Sequence, residues 1–156
     1  PQLPAVHVHL LKNIPMGAGL GGGSADGSFM LQLLNDKFQL ALSSQLLEKY
    51  ALQLGSDCPF FISNKPCYAT GRGELMEHIK LDLASYQLII VNTGVHINTG
   101  WAFSQLYINK SLTKAGSVKQ IIAQPPAAWR DQLLNDFETP VFEKYPEIKS
   151  VKDSLY

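Results

Sequence analysis

Apolar positions along the chain change period several times, and each change predicts an element. Residues 5–11, AVHVHLL, alternate as a half-buried strand does. Ala25, Phe29 and Leu33, with Met30 and Leu34, recur at helical spacing, so 24–35 is predicted to be an amphipathic helix with Ser24 as its cap. A second helix is announced by Ser43 or Ser44, carries Leu46, Leu47, Tyr50, Ala51 and Leu54 on one face, and stops at Gly55. Short strands are expected over 67–69 and 75–79, with TGRGE turning between or beside them. Residues 86–92, YQLIIVN, read as the clearest buried strand, and helical stretches follow near 99–108, 117–123, 127–134 and 139–153. The pattern shifts near 80–86, where a domain boundary is expected, and no internal repeat is present.

Composition agrees with a packed chain. Of its 156 residues 46% are hydrophobic and 17% charged, enough apolar mass for a core. Thirteen basic and 13 acidic side chains cancel and form no basic run, which argues against a nucleic-acid or membrane-surface partner. An anionic ligand must therefore be held locally. Cys58 and Cys67 lack metal-ligand spacing and are too few for a disulfide scaffold, so structural burial in a reducing compartment is expected. No stretch approaches a membrane span or a signal peptide, and the predicted location is cytoplasmic. The chain opens on Pro1, with a strand-like run almost at once, and reads as an internal piece of a longer protein. Oligomeric state is not legible.

The densest chemical signal is PMGAGLGGGSA at 15–25, where Gly17, Gly19, Gly21, Gly22 and Gly23 precede a helix. Glycines can take positive φ and turn successive amides toward one point, and a helix start adds unpaired N–H groups and a positive dipole end. Such a loop binds phosphate. The structural alternative is a tight strand-to-helix turn. A Walker A loop needs Lys after its last glycine, and none follows here. Gly17-x-Gly19-x-x-Gly22 fits the dinucleotide fingerprint literally. Its acidic partner should end a second strand about 20 residues on, but Asp36 is followed by KFQLALSS and another helix.

The stretch 15–25 resembles the second motif of the GHMP kinases, written roughly P-x-G-x-G-L-G-S-S-A. The triple glycine, with LGSDCPFF at 54–61, ATGRGE at 69–74 and NDFE at 135–138 in order, narrows the resemblance. It points to the branch acting on a cytidine diphosphate-linked methylerythritol in non-mevalonate isoprenoid (terpenoid) biosynthesis. The resemblance implies an α+β, two-domain fold: a ribosomal-protein-like N-terminal domain, represented by residues 1–83, and a ferredoxin-like C-terminal domain, begun by 84–156. It implies a transferase that moves a phosphoryl group from ATP, with Mg²⁺, to the 2-hydroxyl of that substrate. Pro15, Met16, Gly17, Ala18, Gly19, Leu20, Gly21, Gly22, Gly23, Ser24 and Ala25 would then embrace the ATP phosphates. The metal ligands are not legible. Another family member, of the homoserine or mevalonate type, would share the loop but not its triple-glycine form or the LGSDCPFF context. A non-catalytic nucleotide-binding module would share the loop alone.

Asp57 carries the chemistry under this resemblance. Locally, Gly55 ends a helix and Pro59 is expected to hold Cys58 extended, which would fix Asp57 in a rigid turn; the alternative role is a turn or cap residue. In the family the matching Asp takes the proton from the attacking hydroxyl. Lys12 could reach a phosphate or be a solvated strand end. Thr99 and Phe103 match positions at the cytosine site, although Phe103 also fits a helix core, and His96 is expected to be exposed. Asn135 and Glu138 have capping-box spacing. The family's Lys near the N-terminus and its third motif, G-x-G-x-x-x-F, have no counterpart here, so the chain reads as the middle of such an enzyme, inactive alone. Gly27 stands where the family has a small residue such as Ala, with no reason visible in the sequence.

Overall fold

A computed structural model describes residues 3–14, 17–106 and 118–155. The chain divides into two compact units, Pro1–Leu81 and Asp82–Tyr156.

In the first unit, α1 (Gly22–Lys37), α2 (Ser44–Leu54) and α3 (Cys58–Ser63) pack around Leu47, Ala51, Cys58 and Ile62, with Leu31 and Leu42 against them. The second helix forms as its caps dictate. The Ser43 hydroxyl accepts the Leu46 N–H at 3.3 Å, and the Gly55 N–H donates to the Ala51 carbonyl at 3.2 Å. Of its expected face, Leu47 and Ala51 are buried while Leu54 is 58% exposed. Between α1 and α2, the Asn35 side chain accepts the Leu42 N–H at 3.0 Å and donates to the Leu42 carbonyl at 3.4 Å, pairing that residue as a neighbouring strand would.

The first helix begins earlier than its apolar period suggests. Its N-cap is Gly21, in the left-handed region, and Ser24 lies inside the first turn without capping it. Four consecutive small residues after Leu20, Gly21 to Ser24, carry no apolar signal, so the periodicity registers the helix only from Ala25. Phe29 and Leu33, expected to be buried, are 46% and 57% exposed, and the buried position of α1 is Ser28. At Gly27 a Cβ would meet Leu54 Cδ1 at 3.2 Å, a tight approach to the tip of an exposed side chain that a shift of a few tenths of an ångström would relieve, so the structure does not explain the glycine.

Cys58 is not extended. It opens α3, with Pro59 in the first turn, where a missing N–H removes no helical bond. Strands β1 (Cys67–Thr70) and β2 (Leu75–His78) pair antiparallel, Cys67 opposite His78 and Thr70 opposite Leu75. The turn between them takes positive φ at Gly71 and Gly73, and a Glu74 carboxylate oxygen accepts the Arg72 N–H at 2.6 Å. Backbone hydrogen bonds hold the Glu74 carboxyl below its ordinary range. The folded form thus favours the carboxylate, and that contribution is present above the ordinary carboxylate pKa and lost as pH falls through the lowered value. Residues 5–11 form no strand among the described residues, since alternation makes a strand only where a neighbour completes the ladder.

The second unit is helical: α4 (Thr99–Gln105), α5 (Val118–Ile122), α6 (Glu138–Lys144) and α7 (Pro146–Leu155), with Ala102, Ile121 and Val141 buried. Asn98 caps α4 by accepting the Trp101 N–H at 2.9 Å. The expected stretch 139–153 is two helices, because Pro146 lacks the N–H to continue the first and starts the second. The stretch 127–134 is not an α-helix but a 3₁₀ turn, Pro126–Ala128, running into turns held by the Trp129 indole N–H on the Gln124 carbonyl at 2.9 Å. Residues 86–92 are neither strand nor buried: Leu88 and Ile89 are 88% and 82% exposed. A fully apolar strand needs partners on both edges and faces, and none lies among the described residues. Part of 99–108 and of 117–123 lies outside the described residues.

Candidate active site

Gly17, Gly19 and Gly21 carry φ of 74°, 73° and 66°, so the loop alternates into the left-handed region up to the start of α1. The first helical bond runs from the Ala25 N–H to the Gly21 carbonyl at 2.9 Å. The amides of Gly22, Gly23 and Ser24 precede it, and no side chain caps them. Space is available: nothing stands within 4 Å of a Cβ placed on Gly19 or Gly23. Ala18 and Leu20 are exposed, Ser24 and Ala25 half-buried, and Pro15 and Met16 lie outside the described residues.

Lys12 brings its ammonium group to this end of α1. It pairs with the Asp26 carboxylate, and its Nζ lies 3.7 Å from the Cβ position of Gly22. Asp26 was not legible as its partner. It lies fourteen positions from Lys12, and only the course of the loop joins them.

Asp57 occupies the N-cap position of α3 yet makes no capping bond, so its carboxylate is not consumed by the turn. It is exposed and lines a cavity of about 270 Å³ with Gly21, Phe60, Phe61, Cys67, Ala69, Gly73 and Met76. The structure therefore brings Asp57 to the helix end of the glycine loop. Gly73 lines the same cavity beside Asp57: a Cβ there would sit 3.5 Å from Asp57 Oδ1, and its φ of +107° disfavours any side chain. The TGRGE turn thus belongs to the site, whereas its sequence indicated only a turn. Cys58 is buried, Cys67 is half-buried in the cavity wall, and both are free thiols.

Thr99 and Phe103 line a different, largely apolar cavity of about 430 Å³ within the second unit, among Ile97, Phe137, Val141 and Phe142. Phe103 is 61% exposed and meets Phe137 edge to face at 5.0 Å, so it is not a closed-over core residue. The capping box expected of Asn135 and Glu138 does not form. The Asn135 side chain accepts the Phe137 N–H at 3.1 Å, and Glu138, already in the helix, pairs with Lys152 at 2.6 Å across the cavity wall. His96 is exposed.

Among the described residues no group of three or more His, Cys, Asp or Glu side chains could hold a metal ion, and no helix is long and apolar enough to cross a membrane.

Residues 2–65 match the family described as GHMP kinases N terminal domain. Over 155 residues, 99% of the chain, it is 51% identical to a 4-diphosphocytidyl-2-C-methyl-D-erythritol kinase of Azobacteroides pseudotrichonymphae and 49% identical to one of Bacteroides fragilis. A kinase of the same name from Cytophaga hutchinsonii is 41% identical. The chain covers 56 to 57% of these proteins, so it spans about half the length of the curated relatives it matches. A crystal structure of 4-(cytidine 5'-diphospho)-2C-methyl-D-erythritol kinase superposes with a TM-score of 0.68 at 27% identity, over 90% of this chain and 50% of that one. The mixed helical and strand architecture is similar to that of this solved kinase over the matched part.

Proposed function

We propose, from the match of residues 2–65 to the GHMP kinases N terminal domain, that the protein transfers the γ-phosphoryl group of ATP to the 2-hydroxyl of 4-diphosphocytidyl-2-C-methyl-D-erythritol. The observation carrying this reading is that Gly21 and Asp57 line one cavity together. In the proposed division of labour, Pro1–Leu81 holds the nucleotide and Asp82–Tyr156 contributes to the substrate.

The loop fits the phosphates of ATP by its open positions at Gly19 and Gly23, its uncapped amides and the nearby Lys12 ammonium. Pro15 and Met16 are assigned to the same loop by the family resemblance. Bound ATP with Mg²⁺ supplies an activated phosphoryl group whose charge is partly neutralised. Mg²⁺ would come held chiefly by the nucleotide, as is usual where the protein offers few carboxylates. Asp57 accepts the proton of the acceptor hydroxyl as its oxygen bonds to the γ-phosphorus; the bond to the bridging oxygen breaks and ADP carries away that electron pair. The chain's own contribution is position and field rather than covalent chemistry.

The direct test is transfer of labelled γ-phosphate by the full-length protein with three acceptors: the cytidine diphosphate-linked polyol, homoserine and mevalonate. Label in the first alone is expected. Label in either of the others would assign a different member of the family, and ATP binding without transfer would leave a nucleotide-binding module.

We further propose that Phe103 stacks on the cytosine ring, with Thr99 beside it; the exposure of its ring and the apolar cavity it lines support this. Phe103→Ala is expected to weaken the cytidine substrate by ~1 to 3 kcal/mol, the range for a base on an aromatic ring, and to leave the ATP KM unchanged. Equal losses for both ligands, or a collapse in Tm, would return Phe103 to a packing role.

A further inference from the structure

The helix that begins beside the base, α3, and the helix that bears the cradle, α1, are joined by side chains no motif accounts for. The hydroxyl of Ser28, wholly buried on α1, lies 2.7 Å from the carbonyl oxygen of Cys58 and 2.8 Å from that of Ser24. The carbonyl it touches belongs to the Cys58–Pro59 peptide, one residue beyond Asp57. One turn further along α1, Gln32 donates to the Ile62 carbonyl at 2.9 Å, at the far end of α3. The Phe61 ring presses on the loop, and its Cζ would stand 3.0 Å from a Cβ on Gly21.

Burial gives these bonds a direction. A carbonyl facing a wholly buried hydroxyl has no water to turn to, so the Cys58 peptide is held where Ser28 can reach it. Asp57 makes no cap bond of its own, and its position follows that peptide. Gln32 clamps the same two helices but acts three helical residues beyond Pro59, away from the base.

We infer that Ser28 is a positioning residue for phosphoryl transfer, holding the Cys58 carbonyl, and through it the start of α3 that carries Asp57, at a fixed distance from the glycine loop. The inference rests on the reading of Asp57 as general base. Misplacing a reacting group by about 1 Å lowers rates by up to about 10²-fold, so loss of one of several restraints should lower kcat by about tenfold. ATP binding, carried by the loop itself, stays as it is.

The test is a double-mutant cycle in the full-length protein, read as kcat, both KM values and Tm. Ser28→Ala fits the space and is expected to lower kcat by about tenfold with the ATP KM within about twofold, as an effect on positioning requires. Gln32→Ala, a control for loosening of the same helix pair, should lower Tm comparably and leave kcat at wild type. In an Asp57→Asn background Ser28→Ala should cause no further loss, because a residue acting through another has nothing left to act on. A wild-type kcat for Ser28→Ala, an equal kcat loss for Gln32→Ala, or an undiminished Ser28→Ala effect beside Asp57→Asn would overturn the inference and leave the base assignment standing. A wild-type kcat for Asp57→Asn itself would overturn the base, and this inference with it.

Discussion

Gly22→Val is expected to raise the ATP KM of the full-length protein by about 10- to 10²-fold, or to abolish turnover, while Tm changes by only a few degrees. The substitution acts at the first residue of α1, where the amides are uncapped. Gly22 is not among the glycines held at positive φ, so valine is not excluded by the backbone. Its Cβ would meet Ile14 Cγ2 at 3.3 Å and stand 3.7 Å from Lys12 Nζ, and its two methyl groups would project further into the same space. A phosphate approaching the helix start would lose one or two charge-assisted hydrogen bonds, each worth about 1.5–3 kcal/mol, and Lys12 would be displaced. Steady-state kinetics against ATP decides it. An unchanged ATP KM would remove the loop from the site.

The parts of the fold visible in the sequence are those that local chemistry determines. α2 was legible from Ser43 and Gly55, and the β1–β2 hairpin from the glycines of its turn; both contain their own start and stop within a few residues. Residues 5–11 and 86–92 failed for the opposite reason. Their patterns were correctly apolar, but a strand is completed by a neighbour that the pattern does not name. The start of α1 was hidden because left-handed Gly21 replaces the expected side-chain cap, leaving the amides uncovered.

The candidate site divides in the same way. The glycine loop and Asp57 stand out as residue types that simple turns do not require in that density or order. Asp26, Ser28 and Gly73 do not: a mid-helix serine and a turn glycine are commonplace until Cys58 and Asp57 are found against them.

Asp57→Asn bears most directly on the mechanism. Asparagine keeps the size and the hydrogen-bonding edge of the side chain but removes the group that takes the proton. Because Asp57 makes no capping bond, the substitution breaks no helix cap, and Tm should stay within a few degrees of wild type. Both KM values should change little, since the phosphates are held by the loop and no binding role is assigned to the carboxylate. What remains is kcat, expected to fall by ~10² to 10⁴, the span of general acid-base catalysis. A residue that served only the turn would behave in reverse, with stability lost and kcat kept. The cavity makes that reversal the less natural outcome: Asp57 lines it together with Gly21 of the loop and Gly73 of the turn, the latter held at a φ of +107° that disfavours any side chain. Gly73→Ala supplies an independent check. Its Cβ would stand in ordinary contact with Asp57 Oδ1 at 3.5 Å, but it would strain a backbone at φ +107° and shift the turn beside Asp57, so kcat should fall while the ATP KM stays near wild type. If Asp57→Asn were slow and Gly73→Ala fully active, the carboxylate would be the base with its placement indifferent to that turn; if both turned over at wild-type rates, the proton would leave by another route and the mechanism assigned to this cavity would fall.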